Sequence, residues 1–196
     1  MRAAFFRAEG TLLTRPTAQT VGWLAANAQE VGGRLTRLAG LGMALPVWAA
    51  DPGLGRRLSW ASLRGMSEDR LHVLGEEYAE TYLDDVRPVG RDRWERAKRE
   101  HDRVVLVSDN LDVVVQHLAD RLGAHDVICN RMELRNGRAT GRLCDPVVGS
   151  LSGTELRAYA QEHGLDLAKC CGYGAAGEDA VLLSAVGLPC AVAPDR

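Results

Sequence analysis

The 196 residues carry 24 Lys and Arg against 26 Asp and Glu, a formal net charge of -2, and 46% of the side chains are hydrophobic. That length supports the core of one domain, or of a core domain carrying a smaller inserted one, and two fully separate domains would be cramped. No block of like charges is long enough for a nucleic-acid arm or an acidic tail, which removes nucleic acid as a default partner.

In chain order, Ala3 to Phe6 is a short apolar run that reads as a buried parallel strand, followed by the loop Glu9-Gly10-Thr11-Leu12. The first ten residues, MRAAFFRAEG, hold too few consecutive apolar side chains for a signal-peptide core. From Thr14 to Glu100 the periodicity is helical and no strand is convincing. The predicted helices are Thr17 to Val31, Leu54 to Leu63, Ser67 to Leu83 and Asp92 to His101. Ser67 before Glu68 and Asp69 has the makings of an N-cap with an acidic first turn. All four tryptophans, Trp23, Trp48, Trp60 and Trp94, fall in this stretch, so it is expected to be a helical insertion with its own small core. Ala39 to Ala50 (AGLGMALPVWAA) is about half a membrane span and is broken by Pro46, so it cannot cross a bilayer. It reads equally as core of the insertion or as a sticky surface. Arg56, Arg57, Arg64 and Arg70 read as a solvated face.

Past the insertion, Val104 to Val107 is a second buried strand and Leu111 to Leu122 a helix. Val127 to Leu143 alternates in parts around Asn136-Gly137, a strong hairpin signal, and predicts a hairpin projecting from the sheet. Thr154 to His163 is helical, Cys170 to Tyr173 a weaker strand and Cys190 to Val192 a last one. Strands alternating with helices indicate a doubly wound parallel sheet. The five cysteines (Cys129, Cys144, Cys170, Cys171, Cys190) form no CxxC pair and have no zinc-ligand spacing to histidine. They are expected to be reduced, mostly buried thiols of a cytoplasmic protein, with the Cys170-Cys171 pair read as core rather than as a redox thiol.

Phe5-Phe6 running into Glu9-Gly10-Thr11-Leu12 resembles the first motif of the haloacid dehalogenase (HAD) superfamily, in particular its phosphoserine-phosphatase-like branch. In that family the strand ends in Asp-x-Asp-Gly-Thr. The order of parts agrees along the whole chain: motif, helical insertion, strand to Ser108, hairpin, helix, Tyr173-Gly174, Val186-Gly187-Leu188-Pro189 and Ala193-Pro194-Asp195. The resemblance implies an α/β, Rossmannoid three-layer αβα sandwich with a parallel sheet. Its core would be 1–13 and 101–196, with an all-helical cap at 14–100.

The resemblance also implies a chemistry against which each position can be compared. The family attacks phosphorus with a carboxylate on the first strand, protonates the leaving group from a carboxylate two residues later, and neutralises the phosphate with Mg²⁺. Arg7 stands at the nucleophile position, where a guanidinium can neither form an aspartyl-phosphate nor ligate a metal. Glu9 stands at the acid/base position and Ser108 at the phosphoryl-binding hydroxyl. Gly149-Ser150-Leu151-Ser152-Gly153-Thr154 has no lysine, and Ser152 aligns best with the family's lysine position. Ala175 replaces a metal-binding aspartate, whereas Asp179 survives. Mg²⁺, expected of the family, would thus find its ligands largely lost, and no metal site is assigned.

Glu9, Asp109, Glu178 and Asp179 could form a rearranged metal site, but turn capping and neutralisation of Arg7 is the favoured reading. Arg7 is accordingly predicted to form a salt bridge with Glu9, Asp179 or Glu178. Arg7, Gly10, Thr11, Ser108 and Asp109 are the candidate ligand-binding residues. The leading expectation is a catalytically degenerate, pseudophosphatase-like protein that binds or regulates. One alternative is an active hydrolase of small phosphate monoesters, with Glu9 or Asp179 taking over. Another is a small-anion metabolite-binding protein using Arg7. The implied partners are an unknown protein, a small anionic metabolite, or a second copy through the cap.

Overall fold

The structure, a computed structural model, describes residues 2–27, 39, 42, 47, 50, 52–145, 147–148, 153–175 and 179–192, without the side chains of 52, 53, 56 and 57. Most of the Ala39 to Ala50 stretch, Trp48, Arg56, Arg57, Ser152 and Glu178 therefore lie outside the described side chains.

Five parallel strands form the central sheet in the order β3-β2-β1-β6-β7: β1 (Ala3–Arg7), β2 (Arg103–Leu111), β3 (Asp126–Asn130), β6 (Cys171–Gly174) and β7 (Leu188–Ala191). Alternate side chains of the central strands enter two different cores, as a sheet buried on both faces requires. Ala4, Phe6, Val104 and Leu106 pack on one face against α3 (Glu68–Leu83), α4 (Pro88–Glu100) and α5 (Asp112–Leu122). Ala3, Phe5, Val105 and Val107 pack on the other against α6 (Thr154–Glu162) and α7 (Ala180–Ala185). Phe6 anchors the first core, with its ring stacked on Tyr173 at 4.1 Å and edge-on to Trp94 at 5.0 Å. The result is an α/β fold with a parallel sheet flanked by helices.

Between β1 and β2 the described chain is helical: α1 (Thr17–Ala26), α2 (Pro52–Ala61), α3 and α4. Ser67 caps α3 as the sequence suggests, its Oγ accepting from the Arg70 N–H at 3.3 Å, with Glu68 and Asp69 in the first turn. The helix predicted from Asp92 begins at Pro88, where a proline in the first turn sacrifices no intrahelical hydrogen bond. The core of this segment is shared rather than private. Val21, Leu24, Trp60, Leu63, Leu71 and Leu74 pack together with Leu111 of β2, and with Met132 and Ala139 of the hairpin. Among the described residues no helix is long and apolar enough to cross a membrane.

The stretch from Val127 to Leu143 divides differently from its sequence pattern. Its first part belongs to β3 of the main sheet, and the hairpin comprises only β4 (Met132–Arg135) and β5 (Arg138–Leu143) around Asn136-Gly137. Both turn residues have positive φ, 52° and 68°, as the tight connection demands. The hairpin does not project freely. Backbone hydrogen bonds from Gly65 N to Ala139 O (2.8 Å) and from Ala139 N to Met66 O (2.8 Å) sew it to the turn between α2 and α3.

Edge strand β7 is more exposed than a buried-strand reading allows, with Leu188, Pro189 and Ala191 on the surface. Leu188 and Val192 donate toward β6, to Cys170 O and Gly174 O. Pro189 falls on the outward-facing alternation, where its missing N–H blunts the free edge.

Candidate functional site

The C-terminal ends of β1, β2 and β6 converge on Arg7. Its Nη2 lies 3.0 Å from Asp109 Oδ2 and 3.5 Å from Glu9 Oε2, and its Nε lies 3.1 Å from Asp179 Oδ1. These four side chains are only 13%, 10%, 8% and 7% exposed for Arg7, Glu9, Asp109 and Asp179 respectively, so the charges are held away from bulk water. Burial opposes the guanidinium charge, but Asp109, Glu9 and Asp179 outweigh it and hold Arg7 firmly protonated.

Each carboxylate is fixed by the local fold. Asp179 reaches across the start of the β6–α7 loop, where its Oδ2 accepts from Ala175 N at 2.7 Å. Gly174 makes room for it, because a Cβ there would meet Asp179 Cβ at 2.7 Å. Asp109 also accepts from the Thr17 hydroxyl at the start of α1, and its own carbonyl accepts from Asn130 Nδ2 at 2.7 Å. Glu9 Oε1 accepts from Ser108 Oγ at 2.5 Å, and Ser108 Oγ in turn accepts from Asn110 N at 3.1 Å.

Glu9 Oε2 is buried and, although within ion-pair range of Arg7, has no hydrogen-bond donor among the described residues. Burial is the main cause pushing the Glu9 carboxyl up to about 7, with Arg7 and Ser108 opposing and Asp109 adding to the rise. One guanidinium cannot neutralise three carboxylates, so a proton on Glu9 relieves the excess of negative charge.

Gly10 turns the loop with φ 74°, a conformation suited to glycine, and its carbonyl accepts from Arg87 Nη1 at 2.5 Å. Thr11 is fully buried, with no hydrogen-bond partner for its hydroxyl among the described residues. The site therefore brings together Arg7, Glu9, Ser108, Asp109 and Asp179, with Gly10, Thr11 and Ala175 in the adjoining loops. Among the described residues no cluster of three or more His, Cys, Asp and Glu is arranged to hold a metal ion. Asp109 stands as an internal partner of Arg7 rather than as a contact for an anion, which its own charge would repel.

A second buried polar layer lies beside this one, and sequence reasoning missed it. Asn110 Nδ2 donates to Thr20 Oγ1 at 2.7 Å and to Tyr82 OH at 2.8 Å, and Thr20 and Tyr82 are hydrogen-bonded to each other. Burial holds the Tyr82 hydroxyl far above its ordinary range, so it remains a neutral phenol. Consecutive residues of β2 thus tie Glu9, Arg7 and Thr17, and then Thr20 and Tyr82, onto the strand. The available signal was Ser108-Asp109-Asn110, a polar run directly continuing a buried apolar strand.

Residues 4–180 match the family model for haloacid dehalogenase-like hydrolase. The chain is 30% identical over 200 residues to phosphoserine phosphatase SerB1 of Mycobacterium tuberculosis, covering 98% of this chain and 65% of that protein. Its fold superposes on a protein of unknown function from Bordetella pertussis Tohama I with a TM-score of 0.81 at 21% identity, covering 100% of this chain and 92% of that one. It also superposes on a phosphoserine phosphatase in apo form with a TM-score of 0.65 at 17% identity, covering 96% and 84%. The chain spans 46% to 65% of the length of the first curated relatives it matches.

Proposed function

The chain belongs to the haloacid dehalogenase-like hydrolases, and from that membership we propose a catalytically degenerate protein, a pseudophosphatase that binds or regulates instead of hydrolysing. The observation that carries this reading is Arg7, at the end of β1, ion-paired to Glu9, Asp109 and Asp179. A guanidinium has no lone pair to offer phosphorus and is never deprotonated in a protein. The carboxylates that could act in its stead already neutralise it.

The residues present do not suit Mg²⁺. A divalent cation would sit against the fixed positive charge of Arg7, and Ala175 offers no side-chain oxygen. Two of the three guanidinium nitrogens of Arg7, Nε and Nη2, already face carboxylates, which weighs against a small anionic metabolite as its partner.

One observation favours a second reading, an active hydrolase of small phosphate monoesters. Glu9, pushed up to about 7, is suited to giving a proton near neutral pH. It would be an acid without a nucleophile, because Asp109 and Asp179 are both held by Arg7. The likeness to a phosphoserine phosphatase supplies the substrate for the test. Purified protein with magnesium chloride is expected to give no turnover of phosphoserine or of an aryl phosphate above the level of a mock preparation. Turnover that disappears in Arg7→Ala would establish the second reading instead.

A further inference from the structure

At the opposite end of the sheet, the first residue of β6 meets the residue that caps α4. Cys171 Sγ lies 3.1 Å from His101 Nε2, and His101 Nδ1 lies 3.3 Å from Ala97 O. A carbonyl oxygen only accepts, so the Nδ1 contact is a hydrogen bond only if Nδ1 carries the proton. The same carbonyl accepts from His101 N at 3.0 Å, fixing the residue at the end of the helix. With the proton on Nδ1, the bare nitrogen, Nε2, faces the thiol and accepts from it.

Nucleophile, base and a third group orienting the base form the arrangement that activates a thiol or hydroxyl. It lies apart from Arg7 and its carboxylates. Cys171 is a free, half-buried thiol, whereas its neighbour Cys170 is fully buried in the core. The sequence reading of the pair as core thus holds fully for Cys170, whereas Cys171, which the strand alternation turns to the other face, packs against the first core while staying partly exposed. Cys190 on β7 lies two residues past Leu188, the register partner of Cys171, so a second free thiol shares that face.

We propose that Cys171 is a thiol modification site, oxidised by hydroperoxides to the sulfenic acid with His101 as its proton acceptor. As Sγ attacks the distal peroxide oxygen, the S–H proton passes to His101 Nε2 and the O–O bond breaks. The departing oxygen recovers a proton from the imidazolium, so that thiol and hydrogen peroxide become sulfenic acid and water. Sulfur loses two electrons and the peroxide oxygens gain them. Burial, with Cys190 and Cys170 adjoining, holds the Cys171 thiol above its ordinary range. The site consequently works by proton transfer during attack, not as a standing thiolate.

The test treats the purified protein with hydrogen peroxide in the presence of dimedone, which traps sulfenic acids, and follows each cysteine by peptide mass spectrometry. Cys171 is expected to label at least about tenfold faster than the half-buried Cys144, and His101→Gln to slow Cys171 about tenfold with Cys144 unchanged. Equal labelling of the two thiols, or a Cys171 rate indifferent to the substitution, overturns the proposal. Should His101→Gln unfold the protein, the wild-type solvent isotope effect decides: a proton transferred during attack slows Cys171 labelling in heavy water, and an unchanged rate refutes the dyad.

Discussion

Arg7 Nε and Asp179 Oδ1 stand 3.1 Å apart at the end of the central strand, and the second oxygen of the same carboxylate is held by the backbone N–H of Ala175. That geometry makes Arg7 a structural member of the fold: it joins β1 to the loop after β6 and, through Asp109, to β2. Removing one member of a buried ion pair leaves the other charge without compensation, at a cost of about 3 to 5 kcal/mol. Arg7→Ala is expected to lose stability by about that amount in urea denaturation at pH 7. A variant with an unchanged midpoint would deprive Arg7 of the structural role assigned to it.

Reversion of the nucleophile alone is expected to fail. Arg7→Asp places a fourth carboxylate beside Glu9, Asp109 and Asp179, while Ala175 still offers no metal ligand. A catalytic site needs its supporting groups held in place, and like charges a few ångströms apart repel strongly in a poorly solvated cluster. No magnesium-dependent hydrolysis of phosphoserine should appear, and the variant should be less stable than wild type. Appreciable turnover from the single change would show that the remaining carboxylates still form a working site.

Glu9 gives the protein a pH dependence of definite sign. Its carboxyl is pushed up to about 7 in the fold, mainly by burial, from an ordinary value near 4.5. Between those values the folded state binds the proton and the unfolded chain releases it, so stability falls as pH rises across this window. The contribution is complete below the unfolded value and lost as pH passes through the folded one. Glu9→Gln keeps an acceptor for Ser108 and removes the titration. Its stability relative to wild type is therefore expected to be higher at pH 8 than at pH 5, measured by thermal unfolding. An equal difference at both pH values would mean that Glu9 is ionised throughout.

Much of this architecture is legible in the residue pattern, and the misses share a physical origin. Ala3–Arg7 and the Ser67 cap are local: an apolar run, and a hydroxyl preceding two acidic residues. Strand β3 is hidden within the hairpin signal because Asn136-Gly137 dominates its neighbourhood, while Asp126 and Asn130 make a short edge strand look polar. Helix α7 has only the six residues Ala180–Ala185, too few to display a helical period. Motif order placed Arg7, Glu9, Ser108 and Asp179 near one another, and the structure pairs Arg7 with Glu9 and Asp179. Thr17, Thr20, Tyr82 and Asn110 come from two helices and a strand, and only tertiary packing brings them together.

Two glycines in helices separate local propensity from packing. Alanine in a helix interior is favoured over glycine by about 1 kcal/mol, chiefly because glycine has more backbone freedom to lose. Gly22 in α1 has nothing among the described residues within 4 Å of the position a Cβ would take, so Gly22→Ala should stabilise by up to about that amount. Gly75 in α3 is the opposite case. A Cβ there would lie 2.1 Å from Val113 O and 2.7 Å from Val113 C, backbone atoms at the start of α5 that cannot turn aside. Relief requires α3 and α5 to separate, and that opens the core shared by Tyr78, Val114 and Leu118. Gly75→Ala is therefore expected to destabilise by about 2 kcal/mol or more despite its better propensity, an overpacking cost. Chemical denaturation of the two variants side by side tests this. If both changes stabilise, the close approach of α3 to α5 is looser than described; if both destabilise, Gly22 meets a restraint that open space does not account for.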